Sequence, residues 1–549
     1  MKRPVLNNYA FQRGAIGLVG ILVLMTAVFF TALVVDSGRL WMQKKRLQSV
    51  ADMAAIQAAR HLGCNPNLQN IIQMAQVAAS NNGFDGQLSQ NPNRVMLGKL
   101  DTVQGVRQFT ADGSHEAVYV KATKVVPKSL VAGGLFGGTI TLHAEAVSVA
   151  DPVLAAFSVA TSTATLNNEQ SALLNGLLGG MLGGALNLNV LTYRGIAETK
   201  VRLQDLLTVS GKVGTYSELL ATNMKVGDII ELVANAAGQN SAVDVQAISG
   251  MQKIASVTVN NAQLTLGDIL SITTPDKNAA AAVGLNALSL ITTAAMIANG
   301  KNAINLPLSV NVPSITNINA QVYVVEPPQL VIGPAAGNGQ ICTIARTAQV
   351  KARANVLVNI PLLAKIDLAL VAEVAQGNAG LRTIQQNDSS TQVDIEATPG
   401  LASLYLTNNA GTGPANVSAS VKLLFTTITV SLANISLDLP IQPATPQTLQ
   451  FTVNHPVKDN LPQTKSVASP LASSLQSSLS NPNSLDVTVL STINLGLLNT
   501  VISTIISPLL SEIARVLLDP LLNMLGIQID GMDVTLDDVQ YRQPKPLAI

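Results

Sequence analysis

Charge is scarce in this chain. Asp, Glu, Lys and Arg make up 12% of its 549 residues, and 33 basic residues offset 32 acidic ones to leave a formal charge of +1. That charged share is about half the usual one. A near-neutral chain has no global field to gather nucleic acid or an anionic surface, so nucleic-acid binding is disfavoured. Aromatic residues are also few, at 3% with a single tryptophan, so the 48% hydrophobic share is mainly Ala, Val, Leu and Ile. This composition suggests a β-rich, exported or membrane-linked protein. The length suits roughly three or four domains of about 150 residues each.

Cysteine and histidine set further limits. Cys64 and Cys342 are too few and too far apart for a metal knuckle or a disulfide scaffold. They could form one bridge in an oxidising compartment. His61, His115, His143 and His455 are scattered without the paired spacing of a metal site, and His61 with Cys64 makes only two ligands. There is no Walker loop and no GxSxG elbow, and "GNGQIC" from Gly337 stops after two glycines of a dinucleotide motif. "HEAVY" at His115 has Tyr119 where a second zinc ligand belongs. "LPQTK" at Leu461 has Lys465 in place of the glycine of a sortase signal. No catalytic, cofactor-binding or metal-binding residue is expected, and no cofactor or small-molecule substrate.

One long hydrophobic run is present. Ala15 to Val35 is 21 residues without a charge, about 31 Å of helix, which matches the hydrocarbon core of a bilayer. A cleavable signal has a shorter apolar region and small residues at its cut, unlike Val34-Val35-Asp36. The run is therefore expected to stay as a transmembrane anchor. Lys2, Arg3 and Arg13 precede it, whereas Arg39, Lys44, Lys45 and Arg46 follow it. A bare count slightly favours a cytoplasmic carboxy-terminal side. Long domains translocate regardless of such charges, however, and Asp36 marks the exit, so the amino terminus is placed in the cytoplasm and the bulk outside. Trp41 falls where an aromatic ring would sit among headgroups.

Beyond the span, Leu40, Leu47, Ala51, Ala54, Ala55, Ala58 and Leu62 recur at helical spacing, with Lys45, Gln48, Ser49, Asp52 and Arg60 on the other side. Nothing between Ala15 and Leu62 breaks a helix strongly, so one rod of about 70 Å is predicted. Its alanines would let a helix or sheet approach closely. A second helix is expected over Leu68 to Ser80, then a turn at "NNGFDG". Period-2 strands follow at Ala117 to Val126 and Thr139 to Ser148.

"RGAIGLVG" before the span, "VVDSGRL" at its exit, "LQSVAD" and "AAIQAAR" together resemble the amino-terminal segment of the TadE/TadG-like proteins of the Tad (Flp) pilus-assembly system. Arg13-Gly14, Asp36, Gly38, Arg39, Leu47, Gln48 and Asp52 carry the likeness. The resemblance implies a bacterial inner-membrane protein with a pilin-like leading helix and a packing motif of Asp36, Gly38, Arg39, Gln48 and Asp52. Its implied partners are the inner membrane, pilins or pseudopilins and other Tad assembly proteins. Processed pilins of this system carry a glutamate at the fifth mature position, where this chain has Val19. That departure implies permanent anchoring. Some TadG-like proteins carry an adhesion domain with a DxSxS motif, and Asp388-Ser389-Ser390 lacks that pattern.

Further along, "NMKVGDIIELV" and "AQLTLGDILSI" form a weak repeat of strand, Gly-Asp and helix, in which Asp228 and Asp268 are read as N-caps and Asp228 with Glu231 has capping-box spacing. Strands are expected at Gln349 to Ile360, Ile366 to Ala375 and Thr426 to Leu437, the first two as a hairpin through Pro361 to Lys365. Ser171 to Tyr193, Asn278 to Gly300 and Val487 to Ser511 lack charge. Their polar residues favour amphipathic or buried helices over further spans. The glycines of "NGLLGGMLGGAL" fit close helix packing. "LLNGLLGGMLGGALNLNVLTYRGIAETKVRLQDLL", the strand pair around Val350 and "LLNMLGI" are similar to the large carboxy-terminal region of Tad-like assembly proteins.

The fold class is thus α+β: a transmembrane helix continuing into a pilin-like helix plus antiparallel sheet, then β-rich α+β extracytoplasmic domains. The expected divisions are a tail (1–14), the span (15–35), a pilin-like module (36–153), a Tad-like region (154–465), a Ser-rich linker (466–483) and a terminal helical and strand segment (484–549). The expected function is a membrane-anchored structural component of a bacterial Tad/Flp pilus system. The alternatives are a surface adhesin or fibre component, or an anchored exported ligand-binding protein or enzyme.

Overall fold

The computed structural model describes residues 15–63, 67–103, 106–129, 138–150, 152–159, 168–211, 213–274, 277–312, 315–335, 340–360, 364–387, 389–400, 402–423, 426–437, 445–455, 460–468, 485–490, 499–524, 527–528 and 531–540. They fall into two compact units, one of residues 15–62 and 67–150 and one of residue 63 and the described residues from Pro152 onward. The fold is mixed α+β, with one long apolar helix at the start and mainly antiparallel sheets after it.

In the first unit, helix α1 (Ala15–Arg60) runs without a break, because no proline or capping group interrupts it. Helix α2 (Leu68–Asn81) starts where the Asn67 side chain accepts from the Gln69 amide at 2.8 Å. It buries Ile71, Ala75 and Ala79, four residues apart. The turn after it uses Gly83 at φ 80°, a conformation that favours glycine. Strands β1 (Arg94–Val103), β2 (Val106–Thr110), β3 (Ala117–Pro127) and β4 (Thr139–Val149) form an antiparallel sheet in the order β2-β1-β3-β4. The expected strands pair from Ala117↔Val149 to Pro127↔Thr139. Val118, Val120, Ala122, Ala144 and Ala146 share one face and are buried with the α1 alanines.

The second unit has two cores. In the larger, helices including α3 (Asn168–Leu182), α4 (Val190–Glu198) and the helix Val226–Ala237 pack with an eight-stranded sheet. Gln349–Ile360 and Ala364–Val374 do form the predicted hairpin, closing at Ile360↔Ala364, with its turn outside the described residues. The other core lies between a sheet containing β5 (Leu154–Ser158) and Gly531–Gln540 and a sheet of Ile344–Arg346, Asn378–Gln386, Ser390–Thr398 and Gln447–Asn454.

Several expectations need correction here. Asp228 and Asp268 are not N-caps. The helices start earlier, at Val226 and Leu266, because burying those apolar residues draws the preceding positions into the first turn. Thr265 is the cap that Asp268 completes, with its carboxylate accepting from the Thr265 amide at 2.7 Å. The short strands before the two repeats pair with each other, Met224↔Leu264. The glycines of this run meet both kinds of neighbour: Gly184, just past α3, lies against Val257 at the end of the helix Val245–Val257, whereas two glycines of α3 face the strand Ala303–Val312. A Cβ on Gly176 would stand 3.0 Å from Leu306, and one on Gly180 2.5 Å from Ile304.

Ser466 to Ala468 belong to the strand Gln463–Ala468, which pairs with Gly531–Gln540; residues 469–484 lie outside the described residues. Gly531–Gln540 in turn pairs with β5, so this late strand is part of the unit that β5 begins. The helix Asn499–Leu522, which takes in the end of the uncharged run and then carries Glu512, Arg515 and Asp519, is long and apolar enough to cross a membrane. It nevertheless buries Ile506, Leu509, Leu510, Ile513, Leu517 and Leu518 in the larger core while exposing Thr500 and Ser503.

Asp537 is fully buried in this unit, with the Ser158 hydroxyl donating to it at 3.1 Å. Burial pushes its carboxyl up to about 7, against the opposing effects of Ser158 and Lys200. As pH rises from about 4 the unfolded chain gives up this proton first, so unfolding becomes more favourable until the folded group ionises near pH 7. This site therefore favours the folded state most in acid. Asp537→Asn is expected to flatten the loss of stability between pH 4 and pH 7, by an amount on the order of a few kcal/mol. Denaturant melts of both proteins across that range check it.

The leading helix and the sheet edge it closes

The first half of α1 has no cover within the first unit. Leu18 is 72% exposed and Val35 51%, and the most apolar window is 0% buried. Its polar side chains are nonetheless satisfied: the Thr26 and Thr31 hydroxyls donate to the carbonyls of Leu22 and Ala27, each at 2.8 Å. Such back-bonding lets a hydroxyl sit where water is absent. One helix of this kind is compatible with a single-pass membrane anchor. Trp41 is exposed, with the Lys45 ammonium 4.2 Å from its ring centroid.

The second half is docked. Leu47, Val50, Ala51, Ala54, Ala55, Ala58 and Leu62 are buried against β3, β4 and α2, while Lys45, Ser49 and Arg60 are exposed. Alanine suits this position because a larger side chain would hold the helix axis off the sheet.

The polar side of the helix does more than meet water. Strand β4 lies at the edge of its sheet, and its outward carbonyls at His143 and Glu145 need donors. The Lys44 ammonium donates to the His143 carbonyl, and the Gln48 amide donates to the Glu145 carbonyl at 2.8 Å. The same amide donates to the Asp52 carboxylate at 2.9 Å, which fixes its orientation. One turn above the apolar run, Arg39 donates to the Pro127 carbonyl at 2.5 Å and lies 3.8 Å from Asp36. The Ser129 hydroxyl donates to the Asp36 carboxylate. Four of the five motif residues thus tie the helix to the β3–β4 hairpin. Gly38 does not: nothing stands within 4 Å of where its Cβ would be.

Lys44, Ser129 and the strand carbonyls were not among the expected motif residues. The one signal for Lys44 was its spacing of four from Gln48, which is four from Asp52. Behind the clasp, Lys121 holds the Glu145 carboxyl below its usual range from 2.9 Å. Burial, then Glu145, pushes the Tyr119 phenol up to about 12.

The remaining candidates do not converge. Cys342 is disulfide-bonded, and Cys64 lies outside the described residues, as does Asp388. His61 contacts the Gln57 carbonyl at 2.9 Å, and His455 contacts Thr391 at 2.8 Å. Two open furrows of about 520 and 490 Å³ flank Asp228, Glu231 and Asn235; both also reach Lys225, the second is lined in part by Val209, Val213, Leu219 and Met224, and neither has a histidine or cysteine in its lining.

Helix and sheet each match a known family. Residues 14–61 match the family described as "Putative Flp pilus-assembly TadE/G-like", and residues 57–148 match "Putative Tad-like Flp pilus-assembly". The first unit is a Tad-like module. Residues 170–296 match a domain of unknown function (DUF8293). No curated protein and no solved structure matches the chain. The two Tad-like matches meet at residues 57–61, within the last turns of α1, so the apolar half and the docked half of the helix fall in one family match and the sheet in the other. They support a role in pilus assembly and indicate no catalytic family.

Proposed function

We propose that the chain is a permanently anchored component of a bacterial Tad/Flp pilus system, acting by protein–protein contact from the outer side of the inner membrane. The observation that carries this reading is α1 itself: it lies in a pilus-assembly family match, and its apolar half is uncovered while its other half holds a folded sheet. Gly17, Gly20 and Gly38 leave room along the uncovered side, since nothing lies within 4 Å of a Cβ at any of them. Neighbouring pilin or pseudopilin helices would fit there. Residues 154–465 would then be the Tad-like region that contacts the fibre or its outer channel. Deleting the gene should abolish surface pili, and the full chain should restore them. Loss of pili without restoration, or pili unchanged by deletion, overturns the assignment. A mature chain beginning at Ala15, seen by mass spectrometry, would instead favour a released fibre component.

The disulfide at Cys342 supports an oxidising compartment, and with two cysteines in the chain its partner would be Cys64. Without reductant the denatured chain is expected to take up no maleimide, and after reduction two. Uptake before reduction would place the bulk of the chain in a reducing compartment.

A further inference from the structure

The clasp fixes more than the edge of the sheet. Along α1, Lys44 and Gln48 are four residues apart, about 6 Å of rise. Their carbonyl partners on β4, His143 and Glu145, are two residues apart, about 6.6 Å of strand. Strand and helix therefore run side by side in the same direction. Counting back along both, Thr139 lies about 13 Å below His143, and the same drop from Lys44 is roughly nine helical residues, reaching Val35. The start of β4 is level with the end of the uncharged run.

Independent contacts agree with that level. Pro127, the register partner of Thr139, accepts from Arg39, and Ser129 donates to Asp36. The Lys128 amide closes the described end of the hairpin on the Gly138 carbonyl at 3.0 Å. At this end of the sheet Val125, on the face away from Val118, Val120 and Ala122, is 62% exposed and Ile140 37%, while Val126 opposite Ile140 is buried. In sequence, no charge occurs from Ser129 through Leu142.

We propose that this end of the β3–β4 hairpin rests in the headgroup layer of the bilayer, giving the module a second lipid contact beside its transmembrane helix. Exposed valine and isoleucine at the level of Val35 lower their free energy by entering the interface. Two contacts, unlike one helix, fix the tilt of the sheet against the membrane. The proposal rests on α1 spanning the membrane from Ala15 to Val35.

Trp41 is the sole tryptophan, so single-tryptophan variants can test it in the full chain. In a Trp41→Phe background, tryptophan is placed at Phe29, at Ile140 or at Phe109. Phe109 lies on β2, opposite Leu100 and beyond the far end of β3. Each protein is reconstituted alone into phosphatidylcholine–phosphatidylglycerol vesicles with and without lipids brominated near the headgroup or along the chains. The expected result is quenching at Phe29→Trp by chain bromines, quenching with a blue shift at Ile140→Trp by the shallow bromines, and no change at Phe109→Trp. Val125→Trp, at a more exposed position, gives the same readout if Ile140→Trp fails to fold. Quenching at position 29 with none at 140 or 125 overturns the hairpin contact, leaves the anchor standing and frees that surface for a protein partner. No quenching at position 29 overturns the anchor itself.

Discussion

Arginine at both Leu24 and Ala27 is expected to move the chain out of the membrane fraction. The run from Ala15 to Val35 holds thirteen Leu, Ile, Phe and Val residues. Each favours insertion by about 0.3 to 0.6 kcal/mol, so together they supply about 4 to 8 kcal/mol. An arginine near the middle costs about 2.5 to 3.5 kcal/mol on the same scale. Two of them cost about 5 to 7 kcal/mol, which cancels the gain. Snorkelling offers little relief, because both positions are near the centre of the span and far from either interface. Folding of the module should be unaffected, since neither side chain is buried. The measurement is alkaline extraction of membranes: the parent chain stays in the pellet and the double variant leaves it. Leu191→Arg, also on an exposed leucine but in the second unit, should stay with the parent. A double variant that still pellets would mean that another part of the chain holds the membrane.

The same contrast between local and long-range signals explains which parts of the fold could be read in advance. Helix α1, its alanine stripe, α2 and the strands of the β3–β4 hairpin are legible because each writes its own period into consecutive residues, 3.6 or 2. The hairpin around Ile360 and Ala364 is legible because a short turn joins its strands. The pairing of Leu154–Ser158 with Gly531–Gln540 is not, since strands distant in sequence carry no spacing that names their partner. It is this pairing that makes Gly531–Gln540 part of the second unit. The aspartates of the GD repeat both lie three positions past the caps, because burial of Val226 and Leu266 overrode the local capping preference. The glycines around α3 were read for a helix, yet Gly176 and Gly180 met a strand while Gly184 met a helix end, as a missing Cβ serves either neighbour equally. Gln48 and Asp52 fell on the side opposite the stripe, which suggests a solvated face. Their task of covering the open carbonyls of β4 follows only from the three-dimensional placement of that edge.

Ala55→Glu should unfold the Tad-like module, and it tests why the docking surface is alanine-rich. Ala55 is buried with Ala51, Ala54 and Ala58, and the facing sheet is itself small, with Ala122 and Ala144 fully buried. A glutamate there must leave an unpaired carboxylate in an apolar layer, costing several kcal/mol. In all it forces four added heavy atoms into the layer, adding about 1 to 3 kcal/mol of overpacking. The sum rivals the entire stability of a small domain, about 5 to 15 kcal/mol. The clasp, by contrast, should contribute modestly. Gln48→Ala removes donors from the Glu145 carbonyl and the Asp52 carboxylate at a cost of about 1 to 3 kcal/mol, because the exposed edge can recruit water. Limited proteolysis of the membrane-bound chain separates the cases. Ala55→Glu should be cut rapidly within residues 67–150, Gln48→Ala should be cut somewhat faster than the parent, and Ser49→Glu, on the exposed side, should match the parent. Resistance of Ala55→Glu would mean that α1 does not hold the sheet, and the clasp at Gln48 would then have no docked helix to orient.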